Sequence, residues 1–259
     1  MDIAAAILLG LIQGLTEWLP VSSSGHLVIA QTLLGLNVPA EFDIVIMAGT
    51  TLAILLYFRA RILQLGMGLL ARDPASWRYI GLIALAGIPT AVLGFAGRAF
   101  FKGLFSQPLI VCALLAVTGL FLLLAGAPRP QTRPLDARSA LLIGLAQGVA
   151  VAPGISRSGS TIGTGLLMGV EPREAAIFSF FIGAPAMTVA SLLEFVQGGA
   201  ALMDPSLMLA GSLAALLAGY ASIGVLMRML QTGRLRWFGY YCLAAALIFG
   251  LLIGAGVRL

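Results

Sequence analysis

Leu19-Pro20-Val21-Ser22-Ser23-Ser24-Gly25-His26 and Pro153-Gly154-Ile155-Ser156-Arg157-Ser158-Gly159-Ser160-Thr161 interrupt two otherwise apolar regions, residues 3–40 and 139–170. Proline and a glycine-serine cluster inside an apolar segment break a helix, so each region reads as two short helices joined by an elbow. The regions match each other at a constant offset of 134. Gly10, Leu11, Gln13 and Gly14 recur as Gly144, Leu145, Gln147 and Gly148, while Ser22, Ser24 and Gly25 recur as Ser156, Ser158 and Gly159. The chain therefore reads as an internal duplication. A fainter echo at offset 136 relates Phe42, Ile46 and Ala48 to Phe178, Ile182 and Ala184.

Composition decides what surrounds these elbows. Of 259 residues, 60% are hydrophobic and 10% charged, against roughly 45–50% and 25% in soluble domains. Mean hydropathy is +1.04, so apolar surface must face lipid as well as a core. The 15 basic and 10 acidic residues give +5, but they sit in short loops between apolar runs. That placement is a topology signal and no nucleic-acid footprint. Cys112 and Cys242 stand alone in separate apolar runs, and are expected to be buried thiols. Met1-Asp2 opens without a basic region, so a cleaved signal peptide is not expected.

Charge-free runs at 44–58, 79–97, 103–128, 175–193, 205–227 and 237–257 predict three membrane spans in each half. Arginines place the 59–78, 129–138 and 228–236 loops inside, and the two acids Glu194 and Asp204 place their connection outside. The Arg98 and Lys102 turn dissents from this scheme, because parity forces it outside. An odd number of spans inverts the second half. The expected fold is an all-α polytopic membrane protein, a single transmembrane domain 1–259 made of an inverted repeat, about 1–128 and about 135–259. Each half would be a re-entrant helical hairpin plus three transmembrane helices, with the two tips meeting where irregular backbone can line a wet cavity. Gly10-xxx-Gly14 and Gly144-xxx-Gly148 read as close helix-packing faces. Gly250-xxx-Gly254 packs either within the fold or between subunits, which leaves a homodimer open.

The first tip offers Glu17, Ser22, Ser23, Ser24, Gly25 and the sole histidine, His26. A carboxylate inside a bilayer costs about 2.5–3.5 kcal/mol, so a chain with so few charges should use it. Its bland alternative is a headgroup-level position beside Trp18 and Pro20. The second tip offers Ser156, Arg157, Ser158, Gly159, Ser160 and Thr161, a set of hydroxyls, amides and a planar guanidinium suited to phosphate oxygens. A structural Glu17–Arg157 ion pair is the competing account of Arg157, and both can hold. HExxH, GxSxG and P-loop patterns do not occur.

Residues 13–26 and 153–161, with Phe42-Asp43-Ile44-Val45-Ile46 and Gly87-Ile88-Pro89 between them, resemble the undecaprenyl-diphosphate phosphatase family, also called the bacitracin-resistance protein family. The resemblance implies a bacterial inner-membrane hydrolase with its active site facing the periplasm. It would release phosphate from a polyprenyl diphosphate lipid and so recycle the carrier for peptidoglycan synthesis. It also implies a divalent cation, Mg²⁺ or Ca²⁺, and a functional set of Glu17, Ser23, His26, Ser156, Arg157 and Thr161, with Glu17 as the metal-binding or acid/base carboxylate. Two positions depart from the family pattern: Gln13 stands where many members carry a second Glu, and Met47 where a Gln often follows. Ser23 activated by His26 is the favoured nucleophile and His26 itself the rival. A lipid-phosphate carrier is the reading from another class, since interrupted helices in repeats also build transporters.

Overall fold

A computed structural model describes residues 1–127, 132–198 and 204–257. Among them run twelve helices: α1 Ile3–Trp18, α2 Ser23–Leu33, α3 Ala40–Tyr57, α4 Arg59–Leu70, α5 Pro74–Ala96, α6 Arg98–Phe105, α7 Pro108–Ala125, α8 Ala137–Val149, α9 Arg157–Leu167, α10 Pro172–Gly198, α11 Pro205–Gln231 and α12 Leu235–Gly254. Local chemistry sets several starts. Asp2, Asp73, Asp136 and Asp204 accept first-turn backbone amides of α1, α5, α8 and α11, and proline opens α5, α7 and α11.

Five helices are long and apolar enough to cross a membrane: α5, α7, α10 over Pro172–Leu193, α11 and α12. A sixth span requires α3 and α4 together, and these are bent by 70° at Phe58. The chain is thus an all-α polytopic membrane protein. The 16 residues of α1 reach roughly 24 Å at 1.5 Å per residue, short of a ~30 Å hydrocarbon core. α2, α8 and α9 are shorter still.

Three expectations need correction. Residues 59–78 are no mere loop, because Arg59–Leu70 is helical, with Leu63, Met67 and Leu70 exposed on it and Leu65 buried. The Arg98 and Lys102 turn is the amphipathic helix α6, which exposes Phe100 and Phe105. The span expected at 103–128 starts later, because α6 ends at Phe105 and Pro108, which cannot donate to a preceding turn, begins α7 afresh. Arg129 and the connection before Asp204 lie partly or wholly outside the described residues.

Packing crosses between the chain halves. α1 lies along α11 and α8 along α5, while α7 pairs with α12. Glycines make the first two contacts possible: a Cβ at Gly10 would run into the Gly211 carbonyl, and one at Gly144 into the Ala86 carbonyl. The contact at Gly14 falls on Ala215 and Ala218, and that at Gly148 on Leu93 and Pro89. Thr90 Oγ1 donates to the Gly144 carbonyl at 2.9 Å, and Ser222 Oγ to the Gly14 carbonyl at 3.0 Å. Both small-residue faces thus serve as expected. Gly250 faces Cys112 loosely and Gly254 faces open space. Both cysteines are free and buried. Trp18, Phe178 and Phe180 fill the main core, with Trp18 edge-on to Phe180 at 5.2 Å, while Phe42 packs in a smaller cluster with Leu9 and Ile46. Outward-facing Val92, Phe95, Leu217, Trp237 and Leu251 supply the apolar exterior.

Candidate active site

The first tip forms because α1 cannot continue into Pro20. Leu19 turns extended ahead of the proline (φ −70°, ψ 148°). Ser22 then takes φ 67°, a left-handed conformation that non-glycine residues seldom adopt. Its hydroxyl accepts the Gly25 amide and starts α2. The second tip repeats this chemistry. Ser156 accepts the Gly159 amide at 3.0 Å and starts α9, after Gly154 has turned the chain at φ 94°. Each capping serine also meets the serine two positions on: Ser22 with Ser24 at 3.4 Å, and Ser156 with Ser158 at 3.3 Å.

A helix from the opposite half holds each tip. Thr118 of α7 donates to the Gly154 carbonyl at 2.9 Å and accepts the Ser156 amide at 3.0 Å. Cys242 of α12 lies 3.8 Å from the Pro20 carbonyl. Between the tips, Ser158 donates to the Leu19 carbonyl at 2.9 Å. A Cβ on Gly25 would stand 3.2 Å from the Gly154 Cα, so the absent side chain is what lets the elbows touch.

This convergence assembles the charged centre. Arg157 Nη2 meets Glu17 Oε1 at 2.6 Å. The Gln13 amide donates to Glu17 Oε2 at 2.9 Å, and Ser23 Oγ donates to the same oxygen at 2.5 Å. The Arg157 guanidinium sits 4.9 Å over the Trp18 ring and touches Met187. Its Nη1 is buried without a hydrogen-bond partner among the described residues.

The expected pairing of Ser23 with His26 is replaced. Both residues stand on α2, but Ser23 hydrogen bonds to Glu17, whereas the His26 ring contacts the Ser22 carbonyl through Nδ1 and the Tyr241 hydroxyl through Nε2, each at 2.8 Å. Thr161 does not line the centre either. It is fully buried, bonded to the Arg157 and Ser158 carbonyls and to Ser179. Ser22, Ser156, Ser158, Gly25 and Gly159 shape the elbows, and Ser24 is partly buried beside them. Sequence reasoning missed Trp18 as a seat for the arginine, Thr118 as a clamp, and Tyr241. A helical tyrosine or threonine within an apolar run carries no local mark of such a role.

The divalent cation implied by resemblance does not fit this donor set as a resident ion. Both Glu17 oxygens already accept from Arg157, Gln13 and Ser23. No group of three His, Cys, Asp or Glu side chains among the described residues could hold a metal. Magnesium and calcium take six or more oxygen ligands, and a contacting guanidinium repels them.

A cavity of about 420 Å³ between α3 and α10 is lined by Ile44, Leu52, Leu55, Thr188 and Leu192 among others. Its α10 wall, at Thr188 and Leu192, belongs to the same helix as Met187, the neighbour of Arg157.

The fold and site define a polytopic helical membrane protein in which two broken-helix elbows join a buried carboxylate, a serine and an arginine. Residues 6–248 match the model of the family described as bacitracin resistance protein BacA, and the chain belongs to that family. It is 40% identical over 253 residues to an undecaprenyl-diphosphatase of Korarchaeum cryptofilum, covering 93% of this chain and 96% of that protein. It is 42% identical to one of Syntrophotalea carbinolica over 93% and 95% of the two chains. A third undecaprenyl-diphosphatase, from Desulfosudis oleivorans, is 39% identical over 100% of both.

Proposed function

We propose that this protein is a membrane hydrolase that cleaves undecaprenyl diphosphate to undecaprenyl phosphate and inorganic phosphate. By recycling the lipid carrier for peptidoglycan synthesis it would confer bacitracin resistance, as the family description implies. The observation that carries the reading is the buried Nη1 of Arg157, without a hydrogen-bond partner among the described residues, beside the Ser23–Glu17 hydrogen bond. Phosphoryl transfer is served mainly by positioning and by neutralising charge on the equatorial oxygens, and a fixed guanidinium with a free donor does both.

Ser23 Oγ attacks the terminal phosphorus while its proton passes to Glu17 Oε2, the oxygen it already faces. The Ser23–phosphorus bond forms, the bond to the bridging oxygen breaks, and undecaprenyl phosphate leaves. Water then opens the phosphoserine, releasing inorganic phosphate and returning the proton to Ser23. The groups that contact phosphate oxygens in this scheme are Arg157 and the first-turn amides of α2 and α9, beside Ser24. The prenyl tail takes the α3–α10 cavity, whose apolar lining includes Ile44, Leu52, Leu55 and Leu192.

The elbows are re-entrant and the halves oppositely oriented in this reading, supported by the matched elbow bonds and the loop arginines. The active site faces the periplasm of a bacterial inner membrane. Purified protein in detergent, given undecaprenyl diphosphate, should release phosphate in a malachite-green assay, and R157A should not. Absence of release by the unaltered protein would refute the reading, and because no bilayer is present a carrier would release none.

A further inference from the structure

His26 is the single histidine of the chain, and both its nitrogens are engaged. The Ser22 carbonyl can only accept, so the Nδ1 facing it at 2.8 Å carries the ring proton. No carboxylate touches the ring among the hydrogen bonds of the described residues, and an uncompensated buried charge is costly, so the ring is neutral with one lone pair on Nε2. That lone pair faces the Tyr241 hydroxyl at 2.8 Å. The rings lie nearly parallel, 7° apart with centroids at 5.6 Å.

Tyr241 belongs to α12, on the other side of the duplicated chain, and its neighbour Cys242 touches Pro20. The last helix therefore holds the first elbow at two points. Tyr241 is 47% exposed, on a helix whose outward face also shows Leu247 and Leu251. Its hydroxyl reaches inward to the imidazole while half of the side chain faces out.

We propose that Tyr241 is a positioning residue for the reaction proposed above: its hydroxyl fixes the His26 ring and caps Nε2 in the resting site. The imidazole becomes available as acceptor or nucleophile only when the tyrosine yields, and the side chain has room to do so on its exposed side. With Nε2 capped, Ser23 keeps its hydrogen bond to Glu17, the carboxylate that Arg157 also holds. This inference rests on the hydrolase reading for its purpose, but its geometry can be tested without any substrate.

Diethyl pyrocarbonate ethoxycarbonylates the free lone pair of imidazole, and with one histidine the ultraviolet signal reports His26 alone. At fixed pH the full-length Y241F protein should react about five-fold faster than the unaltered protein, the factor for one hydrogen bond of ordinary net strength. Y240F removes a neighbouring exposed hydroxyl that does not reach the ring, and should react at the unaltered rate. Equal rates for Y241F and unaltered protein, or equal acceleration in Y240F, would overturn the cap. Nitrogen-15 spectra of the unaltered protein should show one tautomer, protonated at Nδ1, with a hydrogen-bonded Nε2; an Nε2-protonated ring overturns the proposal even if Y241F does not fold. In phosphate release, Y241F should change kcat while leaving KM near its original value. Absent hydrolysis in the unaltered protein would sink the enzyme reading and leave the reactivity result standing.

Discussion

Glu17 and Arg157 stand 140 residues apart in the chain and 2.6 Å apart in space. Each charge is the other's compensation inside an apolar body, and each reaches the contact from a different elbow. Removing one partner of a buried pair leaves the other uncompensated, at about 3–5 kcal/mol. R157M and E17Q should therefore lower thermal stability as well as abolish phosphate release. The double variant E17Q/R157M should recover much of the stability and none of the activity. Additive losses of stability in a double-mutant cycle would contradict the coupling.

Ser23 donates to Glu17 Oε2. S23A should lose at least about 10³-fold in phosphate release if it removes the nucleophile, with unfolding temperature nearly unchanged. Rapid quench with labelled substrate should trap a phosphoserine in the unaltered protein. A phosphohistidine would transfer the role to His26.

Among the described residues both Glu17 oxygens are already engaged by Arg157, Gln13 and Ser23, so a resident cation is not expected there. Protein dialysed against chelator and then equilibrated with micromolar Mg²⁺ or Ca²⁺ should retain well under one ion per chain by elemental analysis. Stoichiometric retention lost in E17Q would show that a cation displaces Arg157.

The helix caps set an acid limit. Asp73, Asp136 and Asp204 have carboxyl groups held below their ordinary value by hydrogen bonds: Asp73 chiefly from the Ser76 hydroxyl, Asp136 from the Ser139 amide and Asp204 from the Ser206 amide. A depressed folded value means these caps stabilise the protein above the unfolded value of 3.8, and the contribution fades as pH falls through the lower folded value. Unfolding midpoints should drop across that acid window, and D136A should flatten part of the drop. At neutral pH, D136A should cost about 1 kcal/mol.

Gly10→Leu should prevent folding, since a side chain there meets the Gly211 backbone, and Gly144→Leu should do the same against Ala86. Gly254→Leu, which faces open space, should fold normally. Size-exclusion profiles in detergent distinguish these outcomes.

The elbows were legible because proline, glycine and serine act locally. The Gly10 and Gly144 faces were legible because close approach needs small residues at helical spacing. Glu17 and Arg157 stood out because charge is scarce in this chain. The helices α4 and α6 were not, since periodicity and loop charge cannot separate an amphipathic helix at a boundary from a solvated connection. The partners of Ser23 and His26 were also hidden. The two are expected to pair, but Ser23 turns to Glu17 and the reach of Tyr241 from α12 engages His26.

The exchange of packing partners between the halves also orders events at the ribosome. When α8 is made, α5 is already complete and can receive it. α1 emerges first, yet its seat on α11 is nearly two hundred residues away, a wait on the order of ten to forty seconds at ordinary synthesis rates. During that interval the glycine face of α1 has no seat, so a nascent chain arrested before Pro205 should leave the 3–33 hairpin open to protease. The first elbow written in the gene is thus the last to be secured.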